Sequence, residues 1–322
     1  MRAVVVTEHG GPEVLHVEER EAPSPGPGQL LVRTGAIGVN YIDTYQCSGL
    51  YPIPTPFVLG LEGAGTVEAL GDGVTEFAPG ARVAWASAPG SYAELVLVPA
   101  DVAVPVPDSV PDELAAAVML QGMTAQYLTH STYPVQPGDT VLVHAGAGGV
   151  GLLLTQLVKL RGGRVISTVS TEEKEKLSRE AGADEVIRYT ETDFAAAVRR
   201  LTSGEGVTVA YDGVGKSTFD GSLASLRRRG MLVLYGAASG PVPPVDPQRL
   251  NAAGSVYLTR PMLAHYTATR EELLDRAGDV LGMVGEGRLS VRIGHRYRLA
   301  DARQAHEDLQ GRRSTGKLIL VP

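Results

Sequence analysis

Residues 140–151 read TVLVHAGAGGVG: a β-branched and aliphatic run from Thr140 to Val143 that breaks into Gly146-x-Gly148-x-x-Gly151 and then into the apolar stretch Val150 to Leu160. Such a sequence makes a strand, a tight glycine turn and a helix start. The turn presents free backbone N–H groups and the positive end of a helix dipole, which together suit a pyrophosphate. With 39 glycines in the chain, G-x-G-x-x-G alone is a weak signal. Its position between a strand and a helix is the context that gives it meaning, and the reading is a dinucleotide-binding unit with Gly146, Gly148, Gly149, Val150 and Gly151 at the cofactor.

Working outward, the chain from about residue 139 alternates strand and helix. Strands are expected at Thr140–His144, Arg164–Val169, Glu185–Arg188, Val207–Tyr211, Met231–Tyr235 and Ser255–Leu258. Helices are expected at Val150–Leu160, Glu172–Glu180, Asp193–Leu201 and Ser217–Leu226. This alternation requires right-handed crossovers and a parallel sheet covered on both faces, a doubly wound α/β domain. Before it, short strands punctuated by glycine and proline (Arg2–Thr7, Leu30–Thr34, Gly65–Leu70, Arg82–Trp85, Tyr92–Val98) suggest a mostly β, barrel-like domain, followed by a helix starting near Pro111-Asp112-Glu113. After Pro261 come helical stretches at Arg270–Glu286 and Leu299–Leu309 and strand-like pieces at Arg292–Tyr297 and Lys317–Val321, which could complete the first domain. The expected division is a discontinuous domain of residues 1–122 and 262–322 around a nucleotide-binding domain of residues 123–261.

The 322 residues are 43% hydrophobic and 20% charged, with a net charge of −7, as expected of an ordered globular chain of about two domains. No basic stripe is present, which disfavours nucleic acid as a partner. No apolar window is long enough to span a membrane, and the N-terminal run MRAVVV is too short for a signal peptide. Cys47 is the only cysteine, so no intramolecular disulfide forms and a cytoplasmic enzyme is expected.

Coenzyme choice turns on the end of the second strand, where NAD binders place an acid about 20 residues beyond the glycines. This chain reads Ser167-Thr-Val-Ser170-Thr-Glu-Glu-Lys174, with Ser170 where that acid is sought. A carboxylate would repel a ribose 2′-phosphate, whereas hydroxyls and an ammonium donate to it. One charge-assisted hydrogen bond is worth roughly 1.5–3 kcal/mol, a preference of about 10- to 150-fold for NADPH over NADH. The competing reading pairs Lys174 with Glu172, Glu173 or Glu175 on a solvated helix face, worth only tenths of a kcal/mol.

Beyond these motifs the chain resembles the medium-chain dehydrogenases/reductases, and within them the zinc-free quinone oxidoreductases that include zeta-crystallin. The segments carrying the resemblance are PGPGQLLVRTGAIGVNYIDTYQCSGLYP, GLEGAGTVEALGDGVTEFAPGARVA, GSYAELVLVP, LQGMTAQYL, HAGAGGVG and TRPMLAHYTATREEL, spread over most of the chain. The resemblance implies a GroES-like catalytic domain built from both chain ends, a Rossmann domain in the middle and an active-site cleft between them. Where zinc-dependent relatives hold their catalytic metal, this chain has Asn40, Leu61 and Gln121, which offer neither thiolate nor imidazole, so no metal is expected. What remains is hydride donation from NADPH to an acceptor that is already electrophilic, such as a quinone, for which the enzyme chiefly positions the nicotinamide and excludes water.

The resemblance also implies site residues: Asn40, Tyr45 and Tyr51 around nicotinamide and substrate; Thr124, Gly149 and Val150 on the cofactor; Lys174 and Tyr189 at the adenine ribose phosphate; and, less directly, Ser239 and Arg312. Each has a plainer role open to it. Asn40 suits a helix N-cap, Tyr45 and Tyr51 suit a core or its rim, and Tyr189 suits packing at a strand end. The segment Gly213-Val-Gly-Lys216-Ser217 lacks the first glycine of a phosphate loop and reads as a strand-to-helix turn, and the seven histidines look scattered. Two other functions fit the same residues: reduction of 2-alkenals or enones by NADPH, and a non-catalytic, crystallin-like or RNA-binding NADPH protein. The resemblance further implies self-association as a dimer or tetramer, with the strand near Ser255–Thr259 continuing its sheet across a two-fold axis.

Overall fold

In the computed structural model, which describes residues 1–322, the chain divides into two compact units: Met1–Met123 with Thr267–Pro322, and Thr124–Tyr266. The first unit begins with β1 (Arg2–Val6), β2 (Leu15–Glu19), the long β3 (Gln29–Val39), α1 (Tyr41–Cys47), β4 (Phe57–Val58), β5 (Glu62–Leu70), β6 (Arg82–Trp85), β7 (Leu95–Pro99) and β8 (Val104–Pro105). Helix α2 (Asp112–Tyr127) starts in this unit and ends in the second. The second unit carries β9 (Thr140–Val143), α3 (Gly149–Leu160), β10 (Arg164–Val169), α4 (Glu172–Glu180), β11 (Glu185–Arg188), α5 (Phe194–Leu201), β12 (Val207–Asp212), α6 (Phe219–Ser225), β13 (Leu226–Leu234), α7 (Gln248–Ala252) and β14 (Tyr257–Thr259). Helix α8 (Arg270–Gly285), β15 (Ile293–Arg298), α9 (Ala302–Gln310) and β16 (Lys317–Val321) return the chain to the first unit.

The second unit is a six-stranded sheet in the order β11-β10-β9-β12-β13-β14, with every pairing parallel. That is two βαβαβ halves meeting at β9 and β12, the doubly wound arrangement whose ligands lie at the carboxyl ends of the strands. Strand β13 begins earlier than the expected Met231. The charged run Arg227–Arg229 is strand, with a register shift opposite Val207/Val209 and a positive φ at Arg229. Helix α6 is correspondingly shorter than Ser217–Leu226, because Asp212 holds residues 214, 215 and 218 in a turn by hydrogen bonds.

The first unit contains a three-stranded sheet, β2-β1-β4, and a seven-stranded sheet, β15-β16-β3-β5-β6-β8 with β7 also on β3. Its interior is two apolar clusters, one around Val4, Ile37, Leu59, Leu299 and Leu320, the other around Leu30, Val67, Trp85 and Val98. Strand β3 runs five residues beyond the expected Thr34, through Gly35 and Gly38. A Cβ at Gly35 would lie 2.6 Å from an Asp112 carboxylate oxygen and one at Gly38 2.1 Å from a Glu62 carboxylate oxygen. The glycines that break the hydrophobic alternation thus make room for two carboxylates. Register does the rest: β16 lies antiparallel to β3 with Leu318 opposite Val39, and β5 lies on its other side with Glu62 opposite Gly38. The C-terminal Lys317 is thereby brought beside Asn40 and Glu62.

Candidate functional site

In the second unit the chain leaves β9 through the buried His144 and turns at Ala145, whose φ is +52°. Gly146 N–H donates to Thr168 O of β10 (3.0 Å) and Gly148 N–H to Ala145 O (2.8 Å). A Cβ on Gly146 would sit 1.7 Å from Ser167 Oγ, and one on Gly151 2.3 Å from Ala145 O. These two positions therefore exclude any side chain. Gly148 is the N-cap of α3 and has no side chain with which to occupy the first helical N–H groups, so Gly149, Val150 and Gly151 open the helix with donors available to an anion.

The turn is held from below by a chain of hydrogen bonds that the sequence reading did not identify. His144 Nδ1 is 2.8 Å from Thr168 Oγ1 and its Nε2 is 2.9 Å from Ser222 Oγ, which donates to Asp212 Oδ2 (2.8 Å). Burial lowers the His144 pKa, against the pull of Asp212, which favours the neutral ring. Every donor then finds an acceptor: Thr168 O–H to Nδ1, Nε2–H to Ser222, Ser222 O–H to Asp212. The other Asp212 oxygen accepts from Val214 N, Gly215 N and Thr218 Oγ1 (2.8–2.9 Å), fixing the loop after β12. Ser239 ties the next loop to it, accepting from Ser217 N (2.9 Å) and donating to Val214 O (2.8 Å). The only sequence sign of this support was an aspartate at the end of a strand, which by itself is unremarkable.

Ser170 follows β10, and Thr171 caps α4 by accepting from Lys174 N (3.3 Å). Glu175, in the first turn of α4, is engaged by Arg179 (2.9 Å) and Arg188 (3.3 Å). Tyr189 follows β11, with its N–H on Val169 O (3.1 Å) and 40% of its surface exposed, and Thr190 Oγ1 donates to Ser170 O (3.0 Å). Ser170, Lys174 and Tyr189 thus come from the carboxyl ends of β10 and β11 and the first turn of α4. Thr124 is buried in the last part of α2.

The first unit assembles a second set. Asn40 is the N-cap of α1, with its N–H donating to the Asp43 carboxylate (2.8 Å), and its amide is turned into a buried ionic group. Lys317 Nζ donates to Asn40 Oδ1 (2.7 Å) and to Glu62 Oε2 (2.5 Å), while Asn40 Nδ2 donates to the same Glu62 oxygen (2.7 Å). Glu62 Oε1 accepts from Leu120 N of α2 (2.6 Å), and Gln121 Nε2 donates to Asn40 Oδ1 (3.3 Å). Lys317 and Glu62 expose 1% and 0% of their side chains. From Asn40, α1 carries Tyr45, whose carbonyl accepts from Tyr51 N (3.0 Å) and whose ring meets that of Tyr51 edge-on at 5.4 Å. Tyr51 is 37% exposed. Arg312 lies in the loop between α9 and β16 at φ +57°.

Next to this group Asp43 is fully buried, accepting also from Tyr92 Oη (2.9 Å), which is 3.1 Å from His306 Nε2. Loss of water pushes the Asp43 carboxyl up to about 7, and burial takes His306 down to about 4. Burial likewise raises the Cys47 thiol to about 11, which leaves it unreactive. At the three positions matching zinc ligands of relatives stand two amides hydrogen-bonded to each other and a leucine, and no group of three or more His, Cys, Asp or Glu side chains is disposed to hold a metal ion. The donors do not suit zinc.

Residues 149–277 match the family model described as zinc-binding dehydrogenase, and residues 26–108 the alcohol dehydrogenase GroES-like domain. A quinone oxidoreductase of Pseudomonas aeruginosa is 46% identical, over 98% of this chain and 97% of the relative. A 2-haloacrylate reductase of a Burkholderia species is 42% identical, over 99% and 98%. Among solved structures, a mycobacterial protein complexed with NADPH superposes with a TM-score of 0.98 at 57% identity, covering all of both chains.

Proposed function

The chain belongs to the quinone oxidoreductase branch of the medium-chain dehydrogenase/reductase superfamily, and from that premise we propose how its residues share the work. It is an NADPH-dependent quinone oxidoreductase. The observation that carries the nucleotide-binding part of this reading is the glycine cradle at the head of α3, where added Cβ atoms at Gly146 and Gly151 would collide with Ser167 and Ala145, and the quinone and NADPH parts are supported by the relatives described above. NADPH, when bound, supplies a hydride from C4 of its nicotinamide.

In this reading Gly146, Gly148, Gly149, Val150 and Gly151 receive the pyrophosphate on backbone N–H groups. Ser170, Lys174 and Tyr189 receive the 2′-phosphate, and Thr124, Ser239 and Arg312 make further cofactor contacts. Asn40, Tyr45 and Tyr51 hold the acceptor. A quinone already carries the electrophilic carbonyls that a metal would otherwise have to polarise, and its reduction restores aromaticity, so orientation accounts for most of what the protein must supply.

Reduction of an activated carbon–carbon double bond is the second reading, favoured by the 2-haloacrylate reductase among the relatives. No helix is long and apolar enough to cross a membrane, and a cytoplasmic location is proposed. The edge strand β14, paired on one side only and bearing Tyr257 at 59% exposure, is proposed to continue its sheet into a second copy, giving a dimer or tetramer. Sedimentation as a monomer would remove that proposal.

The deciding assay follows pyridine-nucleotide absorbance with benzoquinone, naphthoquinone, 2-alkenals and 2-haloacrylate, each with NADPH and with NADH. Turnover of quinones with a preference for NADPH supports the reading; turnover confined to alkenes, or with NADH alone, overturns it.

A further inference from the structure

A buried ion pair is a poor device for stability, because the cost of removing two charges from water is comparable to their attraction and well-packed apolar residues often do as well. Lys317 and Glu62 are buried all the same, and their hydrogen bonds converge on one side chain. The ammonium holds Asn40 Oδ1 and the carboxylate holds Asn40 Nδ2, so the three groups close a triangle whose every side is 2.7 Å or less. Both bonds to the amide are charge-assisted and act on opposite ends of it, which fixes its orientation against a flip. The remaining Glu62 oxygen takes the N–H of Leu120, next to Gln121, whose amide donates to Asn40 Oδ1. Strand register alone makes this possible, since Lys317 comes from the last strand and Gly38 leaves space for the Glu62 carboxylate.

We infer that Lys317 and Glu62 are positioning residues for quinone reduction: as a fixed pair of opposite charges they orient Asn40, and through it the start of α1 and the Tyr45–Tyr51 pair. This rests on the placement of Asn40 at the acceptor proposed above. Asn40 acts with its amide held fast, and the order of that amide is set by a residue from the opposite end of the chain.

The test uses three variants of the full-length protein. Lys317→Met leaves the Glu62 carboxylate buried without its cation and is expected to be less stable. Lys317→Met with Glu62→Gln removes both charges at nearly constant volume and leaves no lone ion. Asn40→Ala reports on the premise. NADPH stoichiometry and affinity are read from nucleotide fluorescence without quinone, then kcat per NADPH-binding site and KM are measured with a quinone. The double variant is expected to bind one NADPH per chain with affinity close to wild type while kcat per site falls about 10- to 100-fold, as when outer-shell partners of a functional group are removed. A purely structural role would lower stoichiometry and activity together and leave kcat per site unchanged; that result overturns the inference. Should Asn40→Ala lose turnover while the double variant keeps it, this inference alone fails. Wild-type turnover by Asn40→Ala overturns both it and the acceptor placement.

Discussion

Replacing Asp43 with asparagine should reverse sign in its effect on stability between mildly acidic and alkaline pH. The carboxyl is wholly buried; one oxygen accepts from Asn40 N–H and Tyr92 O–H and the other has no partner. Desolvation outweighs both hydrogen bonds and the attraction of Lys317, carrying its pKa from 3.8 to about 7. A raised folded-state pKa means that the folded chain holds the proton more tightly. The stability this group contributes is therefore fully present below pH 3.8 and lost as the pH rises to about 7. At about 1.4 kcal/mol per pH unit the loss comes to about 4 kcal/mol. His306 runs the other way: its pKa falls from 6.5 to about 4 through burial, so its contribution is present above pH 6.5 and lost as pH falls through 4. In the wild type the two slopes oppose one another between about pH 4 and 6.5.

Asparagine has the shape of protonated aspartate, keeps an oxygen for Asn40 and Tyr92, and does not titrate. It places an amide N–H₂ where an oxygen already lacked a partner, a cost of about 1–3 kcal/mol at every pH. The variant should therefore be the less stable protein at pH 4 and the more stable one at pH 8, by about 1–3 kcal/mol in each case. Trp85 is the sole tryptophan, is buried in the same unit and donates to Ser91 Oγ (2.8 Å), so its fluorescence during urea unfolding reports this unit. Other carboxylates titrate alike in both proteins and cancel from the difference. A variant-minus-wild-type difference that stays flat from pH 4 to 8 would refute the argument.

Gly146→Ala pushes a methyl group to 1.7 Å from Ser167 Oγ and should cost about 1–3 kcal/mol of stability while weakening NADPH binding far more than that strain alone explains, measured by fluorescence titration. Lys174→Ala should lower the ratio of NADPH to NADH kcat/KM by about 10- to 150-fold, and an unchanged ratio removes Lys174 from the phosphate site. Tyr45→Phe and Tyr51→Phe, assayed for quinone turnover, should each lower kcat/KM by up to about tenfold, the scale of one lost hydrogen bond, and wild-type rates in both would exclude them from the acceptor site.

What was legible in the sequence was local. The strand–glycine–helix order at residues 140–151 could be read because each step depends on neighbours a few positions away, and the six parallel strands followed from alternation alone. Strand β3 was read short because Gly35 and Gly38 interrupt its pattern, and those glycines serve Asp112 and Glu62, partners that no local window contains. Strand β13 was hidden by Arg227–Arg229, whose charges resemble a loop. His306 looked scattered because its partner Tyr92 is 214 residues away, and Lys317 drew no attention because Asn40 is 277 residues away. Such groups are created by register, which a single sequence does not display.

The last strand also bears on how the molecule is made. Thr124–Tyr266 is synthesised before β16, with the 50 residues 267–316 between Tyr266 and Lys317. At about 5–20 residues per second those residues take roughly 3–10 s to add, the lead that the central unit has over β16 in synthesis. A truncation that removes β16 would delete Lys317 and strand the Glu62 charge in the interior, so quality control should treat such a product as misfolded although its central unit is intact.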